Sequence, residues 1–182
     1  RTWRRQLMAD PDAVICLGEA LIDRLGPLGG DPACDQPVDD RLGGAPANVA
    51  CGLARLRTAV SFVGRVGGDA IGAEFQHLFV QRGVDTSMLQ LDPSHPTRIV
   101  LVRRFGDGER QFQGFAGDQG DGFADQALQP VALPSTARWL LVGTIPLASL
   151  QSGQTLLDAV ALARSHGIAS VSYTHLRAHE TS

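Results

Sequence analysis

Short apolar runs that stop at glycine alternate here with segments whose apolar residues recur at helical spacing, and this alternation constrains the fold more than any other feature. Val14-Ile15-Cys16-Leu17 ends at Gly18 with no polar alternation, as expected of a strand buried on both faces. From Pro46, a tolerated residue at a helix start, Val49, Ala50, Leu53 and Leu56 fall on one helical face. Val60 to Val63 reads as the next strand. Asp69 can cap a helix whose Ile71, Phe75, Leu78 and Phe79 share a face and which ends at Gly83. Trp139 to Val142 is a further buried strand. A helix over 149–166 follows, with Ser149 as cap, Leu156, Leu157, Val160 and Ala161 inward, and Gly167 as its stop. Ile168 to Ser170 begins another strand. This rhythm predicts an α/β fold, a parallel sheet covered by helices on both faces. Arg98 to Phe105 and Arg110 to Phe115 flank Gly106-Asp107-Gly108, a hairpin signal that breaks the rhythm and belongs to a separate small β element.

Composition narrows the function. With 182 residues, 43% apolar and 19% charged, the chain can bury the core of one domain. A net charge of −3 and a pI near 5.9 exclude the basic face a nucleic-acid binder needs. No apolar run reaches membrane-spanning length, so no membrane partner is expected. Cys16, Cys34 and Cys51 lack metal-ligand spacing and read as the reduced thiols of a cytoplasmic protein. All 16 basic residues are arginine. Without lysine there is no P-loop lysine, Schiff-base lysine or protein-kinase lysine, and the G-x-G-x-x-G dinucleotide fingerprint is also missing.

Both ends look foreign to the domain. Residues 1–12 form an N-terminal extension, rich in arginine over its first five positions, with Met8 as a plausible start. Residues 171–182 lack helical or strand periodicity. Ser172 to Leu176 correspond to the codons TCT-TAT-ACA-CAT-CTC, which resemble a sequencing adapter, so this segment is taken as an adapter-derived scar that interrupts a strand. His175 and His179 have the spacing of a helical metal pair but fall within it. The domain is expected over 13–170.

Two places carry chemistry. In Gly43-Gly44-Ala45-Pro46-Ala47-Asn48, glycines before a helix let backbone approach a ligand closely, and the helix start offers free N–H groups. Asn48 adds a donor and an acceptor, a mixture that suits sugar hydroxyls. Asp23, just beyond the first strand, stands where open α/β sheets place ligands, and its carboxylate can accept two hydroxyl hydrogen bonds.

In order, Gly18-Glu19-x-x-x-Asp23, Gly43-Gly44-x-Pro46-x-Asn48, Gly64-x-x-Gly67-x-Asp69-x-x-Gly72 and Gly83-x-Asp85-Thr86 resemble the N-terminal half of the ribokinase/PfkB family of carbohydrate kinases. The resemblance implies a ribokinase-like sheet with a small β-strand lid, here truncated, with lid segments around 24–42 and 97–116. It implies sugar binding by Asp23, Gly43, Gly44 and Asn48, with ATP and Mg²⁺ as cofactors and a homodimer formed through the lid. Arg57 departs from the pattern at a helix end that prefers glycine. Some members carry a glutamate where this chain has Gly143-Thr144, and its absence argues against ribose. Gly-Glu-Ala-Leu-Ile-Asp23 and Gly108-Glu-Arg110-Gln-Phe112 resemble the fructokinase branch. The family's Asp-Thr-x-Gly-Ala-Gly-Asp and Asn-x-x-Glu elements do not occur in residues 1–182, so no catalytic residue is assigned and the chain alone is expected to be inactive. A non-catalytic sugar-binding module and a kinase for ribose or 2-keto-3-deoxygluconate stay open, and a dehydrogenase-type domain is the weaker rival.

Overall fold

The computed structural model describes residues 13–117 and 122–172. Its main sheet has five parallel strands in the order β5-β4-β1-β8-β9, formed by β1 (Val14–Leu17), β4 (Val60–Gly67), β5 (Leu89–Asp92), β8 (Trp139–Val142) and β9 (Ala169–Ser172). β1 is central, paired with β4 and β8 over its whole length. Alternate residues of β1 serve two cores, which explains its unbroken apolar run. Ile15 and Leu17 pack with Leu140, Leu156, Ala159 and Ala163 on one face. Cys16 packs with Phe62, Phe75, Phe79 and Ala50 on the other.

Helix α1 (Ala45–Arg55) and helix α2 (Ala70–Arg82) cover the second of these faces, and helix α3 (Leu150–Ser165) covers the first. α2 starts at Asp69, whose carboxylate accepts the Gly72 N–H at 2.8 Å, and stops at Gly83 in the left-handed conformation. Its Phe79 ring stacks 4.7 Å from that of Phe62. α3 starts as expected at Ser149, which accepts the Ser152 N–H.

Three expectations need correction. Leu157 and Ala161 of α3 face solvent; the inward stripe is Ser152, Thr155, Leu156, Ala159 and Ala163. Counting apolar residues misplaced that face because Ser152 and Thr155 are buried with their hydroxyls bonded to the carbonyls of Pro146 and Leu128. Similarly, α1 buries Pro46, Ala47 and Ala50, whereas Leu56 is 77% exposed. Finally, Val171 and Ser172 extend β9, in register with Leu141 and Val142, so the strand is not interrupted at 170. The expected extension over 1–12, and His175 and His179, lie outside the described residues.

A second, four-stranded sheet has the order β3-β2-β6-β7, formed by β2 (Leu21–Leu28), β3 (Asp39–Gly43), β6 (Ile99–Arg104) and β7 (Arg110–Phe115). The expected hairpin is β6–β7, and β2 joins it by pairing parallel to β6 and antiparallel to β3. Leu21, Leu25, Val100 and Val102 form its small core. Two polar links fix its base. Thr97 donates its N–H and hydroxyl to Asp69, at 2.7 and 2.8 Å, and its hydroxyl accepts the Gly67 N–H. Arg98, buried, binds Asp125 through Nε and Nη2 at 2.7 and 3.0 Å, with the Phe115 and Phe123 rings each 4.6 Å from its guanidinium carbon.

Arg57, at φ 65°, is the non-glycine residue with positive φ among the described residues, and its side chain is exposed. Arg57→Gly is therefore expected to stabilise the fold by about 0.5–1 kcal/mol, because only glycine holds this conformation without a Cβ clash. Urea melts should show a higher midpoint at unchanged slope.

Candidate functional site

β1 leads to β4 on one side and the chain later returns through β8 on the other, so the strand order reverses between β1 and β8. Ligands in open α/β sheets bind at the C-terminal strand ends beside such a reversal. Gly18 and Glu19 follow β1 there, and Gly143 follows β8. The Gly43–Gly44 turn and the start of α1 lie against them: a Cβ on Gly18 would stand 2.7 Å from the Pro46 ring, and one on Gly44 would stand 2.5 Å from the Glu19 carbonyl oxygen. Gly44 also has φ 98°, so this close approach needs glycine twice over.

Asp23 stands on β2 of the second sheet, opposite Arg41 on β3 and Val100 on β6, rather than in a turn after β1. Pairing of β2 with β3 brings it to the glycine turn, where a Cβ on Gly43 would stand 2.8 Å from Asp23 Oδ2. Asn48 lies in the first turn of α1, exposed, with its backbone N–H donating to the Gly44 carbonyl at 2.9 Å. A half-buried carboxylate, a glycine turn and a helix start thus share one corner between the two sheets. A carboxylate acceptor and an exposed amide side chain beside a glycine turn can exchange hydrogen bonds with ligand hydroxyls.

Sequence reasoning passed over Glu19, which is 4% exposed. Burial pushes its carboxyl up to about 7, against the pull of the N–H groups of Glu19 and Ala45; Asp125 raises it further and Arg98 lowers it. Its Oε2 is buried without a hydrogen-bond partner and lies over Gly143 and beside Pro46. The space a side chain at position 143 would need is therefore already filled by the carboxyl of Glu19. The signal for Glu19 was a charged residue two positions past an apolar strand, a place where a charge is costly.

The family model for pfkB family carbohydrate kinases matches residues 12–178, and the chain belongs to that family. It is 38% identical over 157 residues to the fructokinase of Klebsiella pneumoniae, covering 85% of this chain and 48% of that protein. Its fold is similar to the fructokinase of Vibrio cholerae O395 in its fructose-, ADP- and calcium-bound form, with a TM-score of 0.74 and 30% identity, covering 92% of this chain and 52% of that one. It is also similar to the ATP-bound fructokinase of Xylella fastidiosa, with a TM-score of 0.75 and 29% identity, covering 92% and 50%. The chain spans about half the length of the curated relatives it matches. Among the described residues no helix is long and apolar enough to cross a membrane.

The raised Glu19 has a consequence for stability. A carboxyl at about 7 when folded, against 4.5 ordinarily, binds more protons in the folded state between those values. Its contribution is fully present below about 4.5 and is lost as pH rises through 7, a span of about 3 kcal/mol. Urea melts from pH 4 to 8 should show the wild type losing stability relative to Glu19→Gln across that window. Parallel curves for the two proteins would count against the buried acid.

Proposed function

We propose that the protein to which this chain belongs transfers the γ-phosphoryl group of ATP to a primary hydroxyl of a sugar, fructose rather than ribose or 2-keto-3-deoxygluconate, and that these residues form its sugar side. The observation that carries the reading is the Asp23 carboxylate held against the Gly43–Gly44 turn at the strand reversal. Asp23 accepts hydrogen bonds from sugar hydroxyls, the glycine turn lets the sugar approach the backbone, and Asn48 binds a further hydroxyl. The second sheet, which carries Asp23, is the lid: closing it over the sugar excludes water that competes for the phosphoryl group. Its assignment as a lid and its use in pairing two copies belong to this same reading, supported by the apolar surface left at Leu28 and Phe112.

The similar fructokinases with fructose, ADP or ATP bound support sugar, nucleotide and a divalent cation as ligands of the whole enzyme. Among the described residues no group of three His, Cys, Asp or Glu side chains could hold a metal ion, and no step is assigned through Mg²⁺. When bound, ATP supplies the phosphoryl group; no residue of this chain is assigned as the base that deprotonates the sugar hydroxyl. A non-catalytic sugar-binding module is the second reading.

Asp23→Ala in the full-length enzyme should lower kcat/KM for fructose by at least about a hundredfold, the loss of two charge-assisted bonds of roughly 1.5–3 kcal/mol each. Coupled ADP-release assays on fructose, ribose and 2-keto-3-deoxygluconate measure this together with substrate choice. Activity within threefold of wild type would remove Asp23 from the site, and fructose binding without ADP release would favour the binding module. The 182-residue chain alone should show no fructose-dependent ADP release.

A further inference from the structure

Arg41 stands directly opposite Asp23 in the β2–β3 register, and the reading above leaves it without a task. Directly paired residues of antiparallel strands share a face, with Cβ atoms about 4.5–5.5 Å apart. The other members of that face show where it points. Leu21 and Leu25 flank Asp23 at alternate positions, and with Val100 and Val102 they form the small core on which Ile145, just past β8, packs. The face carrying Arg41 therefore looks toward the C-terminal strand ends of the main sheet, where the glycine turn lies. The next residue of β3 on that face is Gly43, which places no side chain between Arg41 and the turn.

Two arginine–aspartate pairs on β3 differ in what they leave open. Arg24 binds both oxygens of Asp40, through Nε at 2.9 Å and Nη2 at 2.6 Å, on the opposite face of the sheet. That pair is closed. Arg41 gives only its Nε to Asp39, at 2.7 Å, and its Nη1 and Nη2 have no hydrogen-bond partner among the described residues. Asp39 lies on the same face two residues earlier, so it keeps the guanidinium there without using those outer donors. The side chains of Arg41 and Asp39 are 56% and 44% exposed. The fork is therefore open to solvent and to a ligand, and an ion pair so exposed holds it only weakly.

We propose that Arg41 is a specificity-determining sugar ligand: its Nη groups donate to the oxygen of one hydroxyl, while Asp23, across the strand pair, accepts from a neighbouring one. This rests on the assignment of the corner to a sugar. A hydroxyl can play either part, but a guanidinium only donates and an ionised carboxylate only accepts. Placed opposite each other, the two fix which way round the sugar lies. A sugar lacking the hydroxyl that Arg41 reads forfeits a charge-assisted bond and binds more weakly.

The test is a cycle between protein and ligand, read by calorimetric titration of the full-length enzyme with fructose and its monodeoxy analogues. Arg41→Met keeps much of the side-chain length without any donor, and Arg41→Lys keeps a charged donor without the fork. In the wild type, one analogue should bind about tenfold more weakly than fructose because of Arg41. Arg41→Met should bind fructose about tenfold more weakly than wild type does, yet bind that analogue no more weakly. The remaining analogues should lose the same factor as fructose. Arg41→Lys should hold fructose more tightly than Arg41→Met, and it carries the comparison, with a smaller loss confined to the same pattern, should Arg41→Met not fold. Fructose affinity in Arg41→Met within about twofold of wild type, or an equal loss for fructose and every analogue, overturns the proposal. Asp23→Ala separates the two claims. Unchanged fructose affinity in that variant sinks the sugar site itself, whereas its loss alongside indifferent Arg41 variants sinks this inference alone.

Discussion

Burial of β1 on both faces is the constraint from which the rest of this structure follows. Its backbone groups are paired on either side with β4 and β8, and its side chains go alternately to two cores. A parallel strand in that position cannot end in water on either face, so everything polar must happen past Leu17. Gly18 lets the chain turn there, and Glu19 and the start of α1 meet in the space it opens. The chemistry of this corner is thus a consequence of where the most apolar strand stops.

The second sheet depends on β1 only indirectly. It is tied to the main body at the base of β6, by Thr97 to the cap of α2 and by Arg98 to Asp125. A buried ion pair of this kind adds little net stability, since desolvation offsets most of its attraction. Its value lies in geometry: five donors in a planar fork, two aromatic rings on the guanidinium and one carboxylate leave the segment few other ways to pack. Because β2 pairs with β6, fixing the base of β6 also fixes where β2 presents Asp23.

Much of the fold was legible because its signals are local. The apolar runs of β1, β4 and β8, the Asp69 and Ser149 caps, the glycine stop at Gly83 and the β6–β7 turn all depend on residues next to one another. The α3 face was misread for the opposite reason. Ser152 and Thr155 are inward because loop carbonyls far along the chain accept their hydroxyls, so Leu157 is left outside. Val171 and Ser172 likewise have no strand pattern of their own and are extended by pairing with β8.

By itself, the sequence determined a parallel α/β sheet, a separate hairpin element, the glycine turn before α1 and the family pattern that joins them, since each rests on neighbouring residues and backbone propensity. It also named Asp23 and Gly43 individually. Only tertiary structure decided that β2–β3 pairing puts those two in contact, although they are distant in the chain. The same is true of Glu19. A glutamate after an apolar strand is ordinary as text, and it became a buried acid with an unpaired oxygen only when β8 brought Gly143, and α1 brought Pro46, to its side. Burial and pairing are properties of the assembled layers, which is why no local pattern could announce them.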